Sequence, residues 1–124
     1  MTRHLTVADV TGIARIAFGG RPPEERAPEL LVSAVYRPRA RMFGRAAYDD
    51  LHEQAAALLH AIAANHPFVD GNKRTAWLAA VTFLALHGVD LAGCDQDAAY
   101  DLVIEVASGA ESDIGVIAER LRAL

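Results

Sequence analysis

The side chains best suited to chemistry lie close together, in residues 66–74. This stretch joins two long apolar segments, Leu51–Ala64 and Thr75–His87. His66 is a base that can accept a proton near neutral pH. Asp70 supplies hard oxygen atoms of the kind that bind Mg²⁺, an ion that proteins usually hold with few carboxylates and the phosphates of a substrate. A base and a candidate metal ligand therefore share one connection.

The segment after this stretch is predicted to be a helix, which places Gly71 and Asn72 at its N-terminus. Unpaired backbone N–H groups and the positive end of the helix dipole make such a terminus an anion site. Lys73 and Arg74 add positive charge there, and an arginine can hold a phosphate through two parallel hydrogen bonds. The combination of a base, a carboxylate suited to a metal ion and a phosphate-binding helix terminus predicts a phosphate-transfer site.

Each of these residues also has an ordinary structural explanation. A single histidine in a loop is usually solvated, an Asp-Gly pair is a common turn, and basic residues in a first helical turn are often only surface charge. The combination is harder to explain in this way. Lys73 and Arg74 oppose the helix dipole, which favours carboxylates at that end, so an anionic partner would relieve a local conflict.

The sequence of residues 66–74, HPFVDGNKR, resembles the Fic/Doc signature His-x-Phe-x-Asp/Asn-Gly-Asn-x-Arg. Two departures favour the Doc (death-on-curing) branch of that family. Lys73 stands where Fic adenylyltransferases typically carry glycine, and Trp77 stands where they carry a second arginine. The resemblance implies one all-α domain over residues 1–124, a compact Fic/Doc-like helical bundle with a small extended flap.

The resemblance also implies an activity. A Doc-like toxin of a toxin–antitoxin pair transfers the γ-phosphoryl group of ATP to a hydroxyl side chain of a protein, here expected to be a threonine of elongation factor Tu, and so blocks translation. ATP and Mg²⁺ would be required. His66 and Arg74 would be catalytic, and Asp70 would bind the metal. Four consecutive residues would hold the nucleotide phosphates: Gly71, Asn72, Lys73 and Arg74.

The segment Tyr36–Gly44 is the least helical part of the chain, and its arginines recur at every second position. Such alternation favours an extended segment, although a solvated basic loop explains it equally well. In Fic/Doc proteins an extended flap aligns the backbone of the target by strand addition. We map this flap onto Arg37–Phe43, with four candidate contact residues: Arg37, Arg39, Arg41 and Phe43. An RNA-binding role is less favoured because a clear series of stacking aromatic residues is absent.

The composition is that of a globular protein. Of its 124 residues, 52% are hydrophobic and 23% are charged, and the net charge is −4. That charge argues against a nucleic-acid-binding surface, which would normally be basic. A single cysteine, Cys94, fits a reducing compartment, and the sequence contains neither a signal-peptide pattern nor a membrane-spanning apolar run. We therefore expect a cytoplasmic protein without direct nucleic-acid or membrane contacts.

Apolar periodicity and cap residues predict roughly five to seven helices. We expect the first to start at Thr6 and close at Gly19-Gly20, and a short one to start near Pro28 and stop before Pro38, which disfavours a helical Arg37. The others are expected at Leu51–Ala64, Thr75–His87 and Asp95–Ala107, with a last helix capped by Ser112.

Residues 76–86 have almost no polar face, which predicts a buried, central core helix. Trp77 is expected to pack in the core rather than against a ligand. A rigid core helix would hold the predicted phosphate site in a fixed position.

Other functions stay open at this stage. Adenylyl transfer would use the same His66 and Asp70, and would differ in which phosphate meets the nucleophile. A non-catalytic antitoxin-binding module is less favoured because the motif is intact, and a ribonuclease would need a second acid–base group near His66. Self-inhibiting Fic proteins carry a Ser/Thr-x-x-x-Glu-Gly/Asn segment, and residues 108–112 have the wrong spacing for it. We therefore expect inhibition by a separate small antitoxin that supplies a helix.

Overall fold

The computed structural model describes residues 2–124, and over this range the fold is all-α, as predicted. The helices are α1 (Val7–Ala17), α2 (Pro28–Tyr36), α3 (Leu51–Asn65), α4 (Asn72–Leu86), α5 (Gln96–Ser108) and α6 (Ile114–Arg122). Between α2 and α3 lie a 3₁₀ turn (Arg37–Arg39) and two short strands, β1 (Arg41–Met42) and β2 (Arg45–Ala46). Within residues 2–124, every helix is too short or too polar to cross a membrane.

Local capping chemistry explains where most helices begin. Thr6 and Asp9 form a reciprocal capping box, with the Asp9 N–H donating to Thr6 Oγ1 at 3.1 Å and the Thr6 N–H donating to Asp9 Oδ2 at 2.9 Å. The predicted cap of the last helix was wrong by one residue. Asp113 rather than Ser112 occupies that position, where its carboxylate accepts the Val116 N–H at 3.2 Å. A carboxylate suits this end because it also interacts favourably with the helix dipole.

Helix α3 is the most central helix, and α4, which we predicted to be a buried core helix, is buried on one side only. Helix α3 packs against α2, α4, α5 and α6, and its residues 54–59 are all buried. In α4, Trp77 is only half-buried, and Leu86 is 41% exposed. Apolar composition overestimated the burial of α4 because folded proteins leave much apolar surface exposed.

The predicted start of the flap was also wrong. Arg37 is helical (φ −52°, ψ −43°) and begins the 3₁₀ turn, in which Pro38 is buried. Proline is tolerated there because a first-turn residue needs no N–H donor. Only the following residues are extended. Strands β1 and β2 pair antiparallel, Arg41 opposite Ala46, through the two-residue turn Phe43-Gly44, so the extended part is a hairpin over residues 41–46.

Candidate active site

The loop after α3, residues 66–71 (the motif loop), starts with a left-handed histidine. His66 is the C-terminal cap of α3, with φ 52° and ψ 64°, and its N–H donates to the Ile62 carbonyl at 3.2 Å. Non-glycine residues rarely adopt this conformation, which ends the helix abruptly and turns the chain. The imidazole is left exposed beside the N-terminus of α4.

Phe68 anchors the middle of the motif loop in the core, with none of its surface exposed. Its backbone is bonded to the side chain of Asn72: Asn72 Oδ1 accepts the Phe68 N–H at 3.0 Å, and Asn72 Nδ2 donates to the Phe68 carbonyl at 2.9 Å. The buried Asn72 amide therefore shapes the loop. The backbone N–H of Asn72, the group that we expect to contact phosphate, lies at the first turn of α4 and is separate from these side-chain bonds.

The segment of residues 24–27 pairs with the other side of the motif loop. The Val69 N–H donates to the Glu24 carbonyl at 2.9 Å, and the Arg26 N–H donates to the Pro67 carbonyl at 2.9 Å. An isolated antiparallel bridge joins Glu25 and Phe68 in the same place. These backbone bonds hold the loop from a segment that is distant in sequence.

Gly71 is the N-terminal cap of α4 and has φ 74°. A Cβ atom at this position would lie 2.9 Å from the Cζ atom of Phe18, so the ring of Phe18 packs directly on the glycine backbone. The Gly71 N–H donates to Asp70 Oδ1 at 2.7 Å, which orients the carboxylate. Glycine is therefore required here both for its torsion angle and for the close approach of Phe18.

The first turn of α4 combines free backbone donors with two cations. The Thr75 N–H is the first to bond within the helix, to the Gly71 carbonyl at 2.9 Å, so the preceding N–H groups are directed outwards. Lys73 and Arg74 are both exposed, and Arg74 Nη1 donates to the Ala17 carbonyl at 3.2 Å. That bond holds the arginine beside the end of α1.

These groups line one cavity of about 1120 Å³. All six residues of the motif that we predicted to act in the site line it: His66, Asp70, Gly71, Asn72, Lys73 and Arg74. The four predicted flap residues do not. Arg37 Nε donates to the Tyr48 hydroxyl at 3.1 Å, Arg39 lies over the ring of Tyr36, and Arg41 donates to the Gly44 carbonyl within the hairpin turn.

Comparisons with known proteins show the family of the chain. Residues 4–84 match the model of the Fic/DOC family. The chain belongs to the Fic/Doc family. It is 49% identical over 122 residues to a protein of Mycolicibacterium smegmatis named "Toxin Doc", an alignment that covers 98% of this chain and 92% of that protein. It is 39% identical over 127 residues to "Protein kinase doc" of Escherichia phage P1, covering 98% and 95% respectively.

In this Fic/Doc protein the far side of the cavity is formed by α5, which lies beyond the family match at residue 84. Gln96, Asp97 and Tyr100 line the cavity from this helix. We did not predict these residues. Tyr100 was the only one with a visible signal, since it is a large aromatic residue, 67% exposed, outside the buried stripe of α5.

The end of α1 forms another side of the cavity, through Phe18 and Arg21. Trp77 also lines the cavity while its inner side packs against the core, so the prediction that it belongs only to the core was incomplete. With Arg21, three cations line the cavity against the carboxylates of Asp70 and Asp97. The cavity is therefore suited to an anion, although the chain as a whole has a net charge of −4.

The acidic groups fit a metal that shares its ligands with a substrate. Within residues 2–124, no three residues among His, Cys, Asp and Glu cluster closely enough to enclose a metal ion. Asp70 instead offers a single oriented carboxylate next to the N-terminus of α4. Mg²⁺ commonly binds in this way, through one or two carboxylates together with substrate phosphates.

Proposed function

We propose that this protein is a Doc-type toxin that transfers the γ-phosphoryl group of ATP to a hydroxyl side chain of another protein. The observation that carries the proposal is the cavity in which His66, Asp70 and the N-terminus of α4 meet. The names of the two relatives, a Doc toxin and a Doc protein kinase, support the same proposal. For the target we favour a threonine of elongation factor Tu, whose modification would block translation.

The proposed reaction needs little covalent chemistry from the protein. The hydroxyl oxygen of the target forms a bond to the γ-phosphorus, the bond from that phosphorus to the ADP oxygen breaks, and the hydroxyl proton passes to a ring nitrogen of His66. Enzymes accelerate phosphoryl transfer mainly by positioning the reactants and stabilising the charge on the phosphoryl oxygens. The exposed imidazole at the edge of the cavity is free to accept that proton.

The phosphate oxygens would be held by the first turn of α4. Backbone N–H groups directed outwards from a helix N-terminus bind anions without reorganising, and Lys73 and Arg74 add full charges. The bond from Arg74 to the Ala17 carbonyl keeps the guanidinium in place before any ligand binds. Asp70 would hold Mg²⁺, which when bound neutralises part of the phosphate charge.

The protein target would be held elsewhere. The hairpin of residues 41–46 is exposed along its whole length, and it offers backbone donors and acceptors to an extended segment of the target. We also propose a small antitoxin as a partner in the cell, which would inhibit by laying a helix over the cavity.

The experiment is intact-mass spectrometry of elongation factor Tu, and of a bacterial lysate, after incubation with the protein, ATP and Mg²⁺. We expect a gain of about 80 Da on one protein, lost in His66→Ala. The matched control is His52→Ala, because His52 lies at the opposite end of α3 and outside the cavity. This variant should retain the activity.

A different mass would change the conclusion. A gain of about 329 Da would indicate adenylyl transfer, which uses the same base and metal ligand. The interpretation of Lys73 as a residue that favours the Doc branch and phosphoryl transfer would then be wrong. No gain on any protein, with an antitoxin still bound, would favour a non-catalytic module. A gain of about 80 Da that persists in His66→Ala would remove His66 from the mechanism.

A further inference from the structure

Arg26 contacts the end of α3, although it lies 40 residues before His66 in the sequence. Its guanidinium Nε donates to the His66 carbonyl at 2.8 Å, and its Nη2 donates to the Asn65 carbonyl at 2.7 Å. The last carbonyls of a helix lack partners within the helix, and a cation is favourable at this end. The backbone N–H of Arg26 adds a third bond, to the Pro67 carbonyl at 2.9 Å.

The two carbonyls bound by the guanidinium belong to the two peptide groups that flank the Cα atom of His66. Holding both peptide planes fixes φ and ψ of that residue, because these torsions are the rotations that relate the planes to the Cα atom. His66 has φ 52°, which a non-glycine residue keeps only when its surroundings impose it. The direction of its side chain depends directly on these torsions.

We propose that Arg26 is a positioning residue that holds the His66 backbone in its left-handed conformation and so aims the imidazole into the cavity. The proposal rests on the proposed function, in which His66 accepts the proton of the target hydroxyl. Arg26 itself does not line the cavity, so it acts through His66 and not by touching a substrate. Lysine cannot replace it fully, because one ammonium group lacks the planar pair of donors that spans two carbonyls.

The activity test uses Arg26→Ala and Arg26→Lys in the full chain. We expect kcat to fall about 10- to 100-fold in Arg26→Ala, since a small displacement of a catalytic group has effects of this size. The KM for ATP should change by less than about twofold, and Arg26→Lys should recover only part of kcat. Millimolar guanidinium chloride should restore part of kcat in Arg26→Ala and leave Arg26→Lys unchanged.

The matched control is Arg122→Ala. Arg122 bonds to Asp50, the N-terminal cap of the same helix α3, at 3.0 Å, so it contacts the end of α3 that lies away from His66. This variant should keep its kcat. Thermal unfolding of every variant must confirm that each remains folded at the assay temperature. An unchanged kcat in folded Arg26→Ala, or a raised KM with unchanged kcat, would overturn the proposal, the latter because it indicates direct contact with substrate.

A second measurement does not depend on catalysis. Hydrogen exchange of the His66 N–H, which is bonded to the Ile62 carbonyl, should be at least about tenfold faster in Arg26→Ala, while that of the Thr75 N–H in α4 stays unchanged. If the wild-type protein modifies no target, the proposed function fails, and this exchange result decides the role of Arg26. Faster exchange confined to the His66 N–H in Arg26→Ala supports the positioning role of Arg26, and unchanged exchange overturns that role.

Discussion

Within residues 2–124, two residues other than glycine have left-handed backbones, His66 and Phe43, and both have φ 52°. The surroundings stabilise this strained backbone conformation differently at the two positions. His66 is bonded on both flanking peptide groups by Arg26, and its loop is anchored in the core by Phe68. Phe43 is the first residue of a two-residue turn, followed by Gly44 at φ 79°, and its side chain is 98% exposed.

This difference distinguishes the motif loop, which is constrained by many contacts, from the hairpin of residues 41–46, which is constrained by few. Around the motif loop, hydrogen bonds and buried side chains from several elements determine one geometry, which the proposed phosphoryl transfer would require because it depends on positioning. The hairpin of residues 41–46 is exposed throughout and is held by one short strand pair. Such regions open at low free-energy cost, which would suit the target-binding role that we propose for this hairpin.

Replacing Asn72 by alanine should have the largest effect on stability. The N–H and carbonyl of buried Phe68 would lose their partners, and each unsatisfied group costs about 1–3 kcal/mol. We expect the free energy of unfolding to fall by about 2–4 kcal/mol in urea denaturation. The control is Gln96→Ala, an exposed residue of the same cavity, which should change stability by less than about 0.5 kcal/mol. A loss below about 1 kcal/mol in Asn72→Ala would show that its amide does not organise the loop.

Gly71→Ala should lower the free energy of unfolding by about 1–2 kcal/mol, because alanine is strained at φ 74°. Crowding against the Phe18 ring should add to that cost. The double variant with Phe18→Leu removes the aromatic atoms that the new Cβ meets. In that background Gly71→Ala should be less costly. Strictly additive effects in the double-mutant cycle would contradict a direct contact between the two positions.

Acidification should lower the free energy of unfolding. Burial, and secondarily Arg37, lowers the pKa of His60 below its usual 6.5, and burial, Arg39 and then His87 lower the pKa of His4. Between the lowered values and 6.5, the unfolded chain binds protons that the folded chain does not. The free energy of unfolding should therefore be highest above pH 6.5 and fall as the pH drops through this window.

Denaturation at a series of pH values measures this slope. In a protein with both His60→Asn and His4→Asn, the slope between neutral pH and about pH 5 should be smaller, because two groups that bind protons on unfolding are gone. The same slope in the double variant would assign the acid sensitivity to other groups.

The smallest expected change in stability follows Phe43→Asn. Asn-Gly is the preferred pair for a turn with two positive φ angles, so the hairpin should be unchanged or more stable by a few tenths of a kcal/mol. Under the proposed function, the rate of target modification should nevertheless fall, because the exposed ring would no longer contact the target. Denaturation and intact-mass rates measure the two effects separately. An unchanged rate would show that the tip of the hairpin does not take part.

Local chemistry made several features predictable. The motif residues are adjacent in sequence and meet at one helix terminus, so their grouping required no knowledge of the fold. Cap chemistry likewise located the start of α1 at Thr6, and the start of α2 was correctly predicted near Pro28, a residue type that is common in the first turn of a helix. The family and the all-α class followed from the same residues and from apolar periodicity, and both predictions are confirmed.

The sequence by itself therefore determined where one helix N-terminus, one base and one carboxylate come together, because neighbours along the chain are neighbours in space. Only the tertiary structure decided what holds them. Arg26, Phe18 and Tyr100 reach the motif loop or its cavity from elements far away in sequence. Such contacts follow from how helices pack, which depends on the fit of whole surfaces and not on any local pattern.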